Sequence, residues 1–346
     1  MGHEQYMRRC FDLARLGAGR VSPNPMVGAV LVWNGRIIGE GFHRAHGQAH
    51  AEVNAVQSVP EALRTHISSA TLYVSLEPCC IFGRTPPCTD LIRREGISRV
   101  VISCRDQTAG VAGQGVAILR KAGVEVIEGV LEAEGLRLAS IRNTYVQEER
   151  PYILLKFART DAGFFAPTDR RQFPITGPIT QRLVHRWRTH TDAILVGSQT
   201  VLSDDPQLTD RFFEGPQPLR IVLDRSGRLG PDLRIFQDGM PTLLVGGNPS
   251  PPSWLSPKND YLLLPEGEEQ WSYLLHHLAQ RSISHLTVEG GALILNDLIG
   301  RGLWDEARIG IGPAFLPEGI PAPTLPSEPA TEWSLDKDRI QVFYRQ

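Results

Sequence analysis

Residues 71–88 read TLYVSLEPCCIFGRTPPC. The first six are rich in β-branched and aliphatic side chains, which is typical of a β-strand. Three of the five cysteines of the chain follow that strand, at positions 79, 80 and 88. An odd number of cysteines disfavours a disulfide framework, so their crowding here predicts a metal site directly after a strand.

Hydrophobic periodicity predicts alternating helices and strands on both sides of this stretch. Asn34-Gly35 is typical of the tight turn of a hairpin. The predicted elements are a helix at 4–16, hairpin strands at 27–33 and 36–38, helices from His50 and from about Thr89, strands at 99–103 and 124–127, and a helix at 116–122. The alternation predicts a sheet covered by helices, which is an α/β domain.

A polar segment with a helix-stopping proline, Glu148-Glu149-Arg150-Pro151, precedes a new strand at 152–157. We therefore expect two domains, 1–147 and 148–346. In the second, the pattern predicts strands at 193–196, 220–223, 242–245 and 286–288, and helices at 180–189, 270–280 and 293–298. No internal repeat relates the halves, so two different α/β domains are expected.

The composition excludes several classes of protein. With 346 residues, of which 41% are hydrophobic and 21% charged, the chain is ordinary for a globular protein. Its 36 Lys and Arg against 38 Asp and Glu provide no basic groove for nucleic acid. No apolar run approaches the ~18 residues of a membrane span, and charges interrupt the N-terminal helix where a secretion signal would be apolar. We expect a cytoplasmic homo-oligomer that acts on a small molecule and binds neither nucleic acid nor membrane.

His50-Ala51-Glu52 stands where the second predicted helix begins. A catalytic zinc ion takes three protein ligands and keeps one position open, and one imidazole with two thiolates supplies that set. Cys79 follows Pro78 at a predicted helix start, where free N–H groups favour a thiolate. Glu52 is then available to carry a proton from the attacking water to a leaving ammonia. H-x-E combined with P-C and a further cysteine is the signature of zinc nucleobase deaminases.

Each part of this pattern is weak alone. An H-x-E tripeptide is usually ordinary helix surface, and cysteines near a strand are often small buried apolar residues. Eight residues, instead of the usual two, separate Cys79 from Cys88, and spacing alone also allows Cys80 with Cys88. A structural zinc module would fill the fourth position with protein and would have no use for Glu52, so an enzyme is preferred.

The longer spacing is typical of one family. LEPC at 76–79, GRTPPC at 83–88, SPNPMVG at 22–28 and GFH at 41–43 resemble the bifunctional riboflavin-biosynthesis enzymes of the RibD family. The resemblance implies a cytidine-deaminase-like, three-layer α/β/α domain. In such a domain zinc is held by His50, Cys79 and Cys88, and Glu52 is the proton shuttle. The implied substrate contacts are Asn24, His43, Arg84 and Thr85.

The second half carries a strand, a diglycine and a helix start at 287–293, a turn that can approach a pyrophosphate but is often only structural. With AILVG at 193–197 and Asp204-Asp205-Pro206, it is similar to the reductase half of the same family. That likeness implies a dihydrofolate-reductase-like α/β domain binding NADPH. The implied NADPH contacts are Ala158, Thr200, Asp204, Gly291, Ala292, Leu293, Ile294, Leu295, Asn296 and Asp297. The implied substrate contacts are Lys156, Arg188, Leu208, Arg211 and Glu289.

Arg225 and Ser226 follow the strand at 220–223, where a family-like site would meet the 2′-phosphate of NADPH. An arginine is the usual counter-charge there, although a solvated turn residue accounts for Arg225 about equally well.

The resemblance implies two reactions. The first is zinc-dependent hydrolytic deamination of 2,5-diamino-6-(5-phosphoribosylamino)pyrimidin-4(3H)-one, and the second is NADPH reduction of the ribosyl to the ribityl group. Some positions depart from the family: Cys80, Ile81 and Phe82 replace Ser-His-His, Ala162 replaces Asp, and Gln172 begins a segment that is usually Ser-x-Trp. A zinc deaminase with a degenerate nucleotide-binding second domain is therefore the alternative. A nucleic-acid-editing deaminase would need basic and aromatic clusters that the charge pattern does not show.

Overall fold

The computed structural model describes residues 2–83, 85–267 and 269–345. The chain divides into two compact units, Met1–Arg150 and Pro151–Gln346. Across the described residues, no helix combines the length and apolar character needed to cross a membrane.

The first unit alternates helices and strands much as the periodicity predicts. Its helices are α1 (His3–Arg15), α2 (Ala51–Gln57), a 3₁₀ helix (Glu61–Ser69), α3 (Cys88–Arg94), α4 (Gln114–Lys121), α5 (Glu132–Leu138) and α6 (Ser140–Gln147). Its strands are β1 (Gly28–Trp33), β2 (Arg36–Phe42), β3 (Thr71–Leu76), β4 (Arg99–Cys104) and β5 (Glu125–Ile127). The predicted hairpin is confirmed, with Asn34 and Gly35 both at positive φ in the turn between β1 and β2.

The five strands form one sheet in the order β2-β1-β3-β4-β5, with β3, β4 and β5 parallel. Alternate side chains point to opposite faces of each strand. On one face Leu31, Val74 and Val100 pack in a cluster that includes residues of α2, α3 and α4. On the other face Val30 and Val101 pack with residues of α1. The first unit is therefore a three-layer α/β/α sandwich.

The second unit contains most of the predicted elements and several more. Its helices are α7 (Pro178–Arg188), α8 (Ser198–Asp204), α9 (Arg234–Gln237), α10 (Gln270–Gln280) and α11 (Ala292–Gly300). Its strands are β6 (Tyr152–Thr160), β7 (Phe164–Ala166), β8 (Ala193–Gly197), β9 (Leu219–Asp224), β10 (Thr242–Gly246), β11 (Asp260–Leu263), β12 (His285–Val288), β13 (Glu306–Gly312), β14 (Ile320–Pro321), β15 (Thr331–Leu335) and β16 (Asp338–Tyr344).

Nine of these strands form a sheet in the order β11-β10-β9-β8-β12-β6-β13-β16-β15. The three neighbours β8, β12 and β6 run parallel. In parallel sheets, ligands bind outside the carboxyl ends of the strands. The loops after β8 and β12 therefore open at the same edge of the sheet.

Candidate active sites

Three potential metal ligands from different elements meet in the first unit. His50 is the N-cap of α2, Cys79 lies in the loop after β3, and Cys88 is the first residue of α3. His50 Nδ1 lies 3.4 Å from the Sγ of Cys79 and 3.4 Å from the Sγ of Cys88. Tetrahedral zinc with ordinary Zn–N and Zn–S bonds would separate such ligands by about 3.6 Å. Within the described residues, this is the one group of three or more His, Cys, Asp and Glu side chains arranged to hold a metal ion.

The prediction that Cys79 begins a helix is wrong, because α3 begins nine residues later, at Cys88. Cys79 and Cys88 each follow a proline, and either proline could precede a helix. The helix begins after Pro87, which is the N-cap residue of α3, and not after Pro78. The free N–H of Cys88 nevertheless reaches the sulfur of Cys79, at 3.3 Å. A hydrogen bond with the Cys88 side chain lowers the pKa of Cys79 to about 4 despite burial, and His50 adds to the effect. The thiolate that a zinc ligand requires is therefore favoured at Cys79.

Glu52 lies in the first turn of α2 and is only 3% exposed. Burial raises the pKa of its carboxyl group, and the nearby Cys79 raises it further. Glu52, His50 and Cys79 line the same cavity, of about 270 Å³. A carboxyl group with a raised pKa beside a metal-ligand set is suited to accept a proton in one step and return it in another.

Asn24 and His43, two of the predicted substrate contacts, lie against each other on the wall of this cavity. Asn24 Nδ2 is 3.1 Å from His43 Nε2, and His43 Nδ1 is 3.1 Å from the carbonyl oxygen of Ala49. A carbonyl oxygen only accepts, so Nδ1 carries the proton and Nε2 accepts from the Asn24 amide. Burial lowers the pKa of His43, which keeps the ring neutral.

The other predicted contacts of this site lie on the loop between the two cysteines. Thr85 Oγ1 is 3.5 Å from His50 Nε2, the ring nitrogen opposite the two sulfurs. Ile81, at a position where the family has histidine, also lines the cavity. Arg84 lies outside the described residues.

Among the cavity-lining residues that no sequence motif indicated are Glu77, Asp106, Thr108 and Arg142. Glu77 is buried and accepts backbone N–H groups of Asp106, Gly113 and Val116, which fixes the start of α4 beside the cavity. Its position between the β3 strand and Cys79 could have indicated such a role. Arg142 belongs to α6, a helix without a recognisable motif.

The second unit brings together a buried ion pair. Arg188, the last residue of α7, donates to both carboxylate oxygens of Glu289, at 2.9 and 2.7 Å, and to the carbonyl of Thr209 at 3.2 Å. Burial alone would raise the pKa of Glu289, but the charge and hydrogen bonds of Arg188 lower it to about 2. Desolvation lowers the pKa of Lys156, a half-buried residue of β6, while Glu289 and Asp204 act in the opposite sense. The predicted residues Lys156, Arg188, Asp204 and Glu289 therefore form one electrostatic cluster.

The diglycine after β12 lies beside Thr200 of α8. Gly290 and Gly291 have φ of 112° and 83°, and a Cβ at either would lie 3.4 and 3.6 Å from Thr200 Oγ1. Only glycine adopts such angles without strain, and the absence of a Cβ leaves room for a ligand to approach the backbone beside the Thr200 hydroxyl. That arrangement fits a nucleotide phosphate.

The remaining segment of predicted NADPH contacts divides between surface and core. Leu293 is 85% exposed, Ile294 packs against Gly197, and Leu295 is fully buried. Asp297 accepts hydrogen bonds from Trp271 Nε1 at 2.6 Å and Arg301 Nε at 2.8 Å. Ala292 follows Gly291 at the start of α11, and Asn296 is exposed one turn later.

Other predicted residues lie at the borders of this site. Leu208 is buried in a hydrophobic cluster, so it offers backbone rather than side chain to a ligand. Arg211 is exposed, and its backbone N–H donates to His185 Nδ1 at 3.3 Å. Ala158 on β6 pairs with Gly310 on β13.

Arg225 and Ser226 form an exposed turn after β9, and no hydrogen bond among the described residues joins them to Thr200 or the diglycine. Arg228, which no sequence motif indicated, donates to Ser198 Oγ at 2.9 Å, two positions before Thr200.

Both halves match known families. Residues 1–104 match the cytidine and deoxycytidylate deaminase zinc-binding region, and residues 151–343 match the RibD C-terminal domain. These matches confirm the predicted fold class, with a cytidine-deaminase-like first domain and a dihydrofolate-reductase-like second domain. They also confirm the predicted zinc-binding character of the first half.

Relatives match across nearly the whole chain. The riboflavin biosynthesis protein RibD of Aquifex aeolicus is 38% identical over 320 residues, which is 92% of this chain and 88% of that protein. RibD of Escherichia coli is 36% identical over 91% of this chain and 89% of its own length. The crystal structure of a diaminohydroxyphosphoribosylaminopyrimidine deaminase/5-amino-6-(5-phosphoribosylamino)uracil reductase from Thermotoga maritima is 35% identical, with a TM-score of 0.89 over 99% of this chain and 98% of that one. A zinc-ligand set, a buried carboxyl group and a nucleotide turn thus occur in a chain that belongs to the RibD family of riboflavin biosynthesis proteins.

Proposed function

We propose that the chain is a bifunctional enzyme of riboflavin biosynthesis. It deaminates 2,5-diamino-6-(5-phosphoribosylamino)pyrimidin-4(3H)-one and then reduces the ribosyl group of the product to ribityl. The first reaction is assigned to residues 1–147 and the second to residues 148–346. The observation that carries the proposal is the meeting of His50, Cys79 and Cys88, whose ligand atoms lie within 4.8 Å of one another, with Glu52 on the wall of the same cavity as His50 and Cys79.

In the deamination, His50, Cys79 and Cys88 hold the metal. Zinc bound there supplies a Lewis acid that makes water nucleophilic at neutral pH. The three ligands come from one helix cap, one loop and one helix start, so the packed layers of the first unit fix their positions.

Glu52 moves the protons of the deamination. Its buried carboxylate takes a proton from the attacking water and delivers it to the amine that leaves as ammonia. The raised pKa of Glu52 suits both steps, because the group must be a base in one and an acid in the other.

Asn24 and His43 orient the pyrimidine, and Arg84 and Thr85 complete the substrate contacts. The hydrogen bond from Asn24 to His43 fixes both side chains before the substrate enters. A fixed wall lowers the entropy cost of placing the amino-bearing carbon next to the metal.

In the reduction, Ala158, Thr200, Asp204 and the segment 291–297 bind NADPH, and Arg225 and Ser226 meet its 2′-phosphate. Bound NADPH supplies the hydride for C1′ of the sugar. Lys156, Arg188, Leu208, Arg211 and Glu289 bind the substrate. Burial lowers the pKa of Lys156, so its ammonium group is a proton donor for the sugar as the ring opens.

Incubation of the purified protein with the diaminopyrimidine phosphate, with and without NADPH, tests the assignment. Without NADPH we expect ammonia and the deaminated ribosyl product, and with NADPH the ribityl product. Accumulation of the ribosyl product in the presence of NADPH would instead favour the zinc deaminase with a degenerate second domain. Absence of ammonia release from zinc-loaded protein would contradict the proposal.

We further propose that the protein is a homo-oligomer in the cytoplasm. A phosphorylated substrate and NADPH are both charged and occur inside the cell. Light scattering of the purified protein tests the oligomeric state, and a monomeric mass would contradict the proposal. Fractionation of cells tests the location, and a secreted enzyme would contradict it.

A further inference from the structure

Arg142 lies on α6 and lines the cavity that His50, Cys79 and Glu52 also line. Among the described lining residues it is the one arginine or lysine. Its Nη1 donates to the carbonyl oxygen of Pro23 at 3.2 Å, and its Nη2 donates to Thr108 Oγ1 at 3.4 Å. Both acceptors are neutral, so no carboxylate of the described residues is hydrogen-bonded to the positive charge.

The guanidinium group keeps unused donors. Arginine has five N–H groups, and the buried Nε of Arg142 has no partner among the described residues. Asp106 attracts Arg142 electrostatically, but its Oδ1 accepts the N–H of Thr108 at 2.7 Å. Burial lowers the pKa of Arg142, which reflects the cost of holding this charge. A half-buried cation on the wall of a catalytic cavity, held by neutral acceptors and with its Nε unpartnered among the described residues, indicates an anionic ligand.

We infer that Arg142 binds the phosphate group of the substrate in the deamination step. The inference rests on the proposed function, in which the substrate carries a 5-phosphoribosyl group. A phosphate offers acceptor oxygens that match the planar fork of a guanidinium group, and it would satisfy the free donors and the charge together. None of the contacts implied by the sequence motifs falls on Arg142.

A purely structural role would act differently. Arg142 ties Pro23 and Thr108 together, and Pro23 precedes Asn24 on the cavity wall. Loss of these two hydrogen bonds would change how the cavity wall positions the pyrimidine ring, whether or not the substrate carries a phosphate. The two roles are therefore separated by comparing a phosphorylated with a dephosphorylated substrate.

The experiment measures kcat and KM of ammonia release from the diaminopyrimidine phosphate and from its dephosphorylated ribosyl counterpart. In Arg142→Met, we expect kcat/KM for the phosphorylated substrate to fall about 10- to 100-fold, mainly through KM. For the dephosphorylated substrate we expect a change within about twofold. Arg142→Lys should recover part of the loss, because it keeps the charge without the fork. Arg64→Met removes an exposed arginine of the 3₁₀ helix and should behave as the wild type.

Ribose 5-phosphate provides a second measurement. It should inhibit the wild type competitively and inhibit Arg142→Met at least 10-fold more weakly. Equal losses on both substrates, or no loss on the phosphorylated one, would overturn the inference while leaving the proposed function intact. A wild type that releases no ammonia from either substrate would instead overturn the proposed function, and this inference with it. If Arg142→Met does not fold, the inference is tested with Arg142→Lys, by the ratio of kcat/KM for the phosphorylated substrate to kcat/KM for the dephosphorylated one.

Discussion

Cys79 and Cys80 are neighbours in sequence but lie in different surroundings. The sulfur of Cys79 faces His50 and Cys88, whereas the Cys80 sulfur lies 3.6 Å from the carbonyl oxygen of Gly110. Spacing could not separate the two residues, and the helix argument used for Cys79 was wrong. The preference for Cys79 stays a prediction, now supported by the geometry of the three ligand atoms.

We expect Cys80→Ser to retain one zinc ion per chain and full deamination. Cys79→Ser and Cys88→Ser should lose both, because each removes one of only three protein ligands. Metal analysis of the three purified variants checks this. Zinc loss confined to Cys80→Ser would show that the ligand set is wrong.

Replacing Glu52 by alanine tests its role as proton carrier. We expect Glu52→Ala to lower kcat of ammonia release by about 10²- to 10⁴-fold, while reduction of already deaminated substrate stays near the wild-type rate. Glu61→Ala, which removes an exposed carboxylate of the same unit, is the control. Loss of both activities in a folded Glu52→Ala protein would contradict the assignment of Glu52 to one reaction.

At the scale of elements, local signals predicted the helices and strands that carry regular apolar patterns. The Asn34-Gly35 turn, the strand before Cys79 and the helix start at His50 are confirmed. Helix α6 was missed because Thr144 is its one buried residue, so the helix has almost no apolar periodicity. Strand β15 was missed for the same reason, since its side chains are mostly exposed.

The candidate sites were predictable only in part. The zinc ligands and Glu52 form a short motif with definite chemistry, so sequence alone could indicate them. Arg142 and Arg228 reach their places through the packing of separate elements, which no local pattern records. The resemblance to the family, rather than spacing, indicated Asn24 and the reductase contacts.

The ion pair between α7 and the loop after β12 predicts a specific acid sensitivity. Glu289 has its pKa lowered from 4.5 to about 2, so the folded state gains stability above the ordinary pKa and loses it as the pH falls through that interval. The shift corresponds to about 3 kcal/mol. As the pH falls from 4.5 to 2, the free energy of unfolding should decrease in both proteins. The decrease should be larger in the wild type than in Glu289→Gln, and the difference should equal that amount. Parallel pH dependences in urea unfolding experiments would contradict this assignment.

At the scale of the whole molecule, each set of site residues is contained in one compact unit. The zinc-side residues all precede Arg150, and the nucleotide-side residues all follow Pro151. The residues proposed for each reaction therefore all belong to one unit.

Removing the metal should separate the two activities. After treatment with a chelator and dialysis, ammonia release should be lost, because His50, Cys79 and Cys88 alone supply no Lewis acid. NADPH oxidation with deaminated substrate should stay within about twofold of the untreated enzyme, and added zinc should restore deamination. Equal loss of both activities, with the chain still folded, would contradict the confinement of zinc chemistry to the first unit.

The containment of each site within one unit also has a genetic consequence. A lesion such as Glu52→Ala damages one step of a two-step conversion and leaves the other catalyst whole. A second copy of the gene with a lesion in the later half, for example at Glu289, supplies what the first copy lacks. Each allele alone is unable to support growth without added vitamin. Provided that the intermediate can leave one chain and enter another, the two alleles together should complement each other.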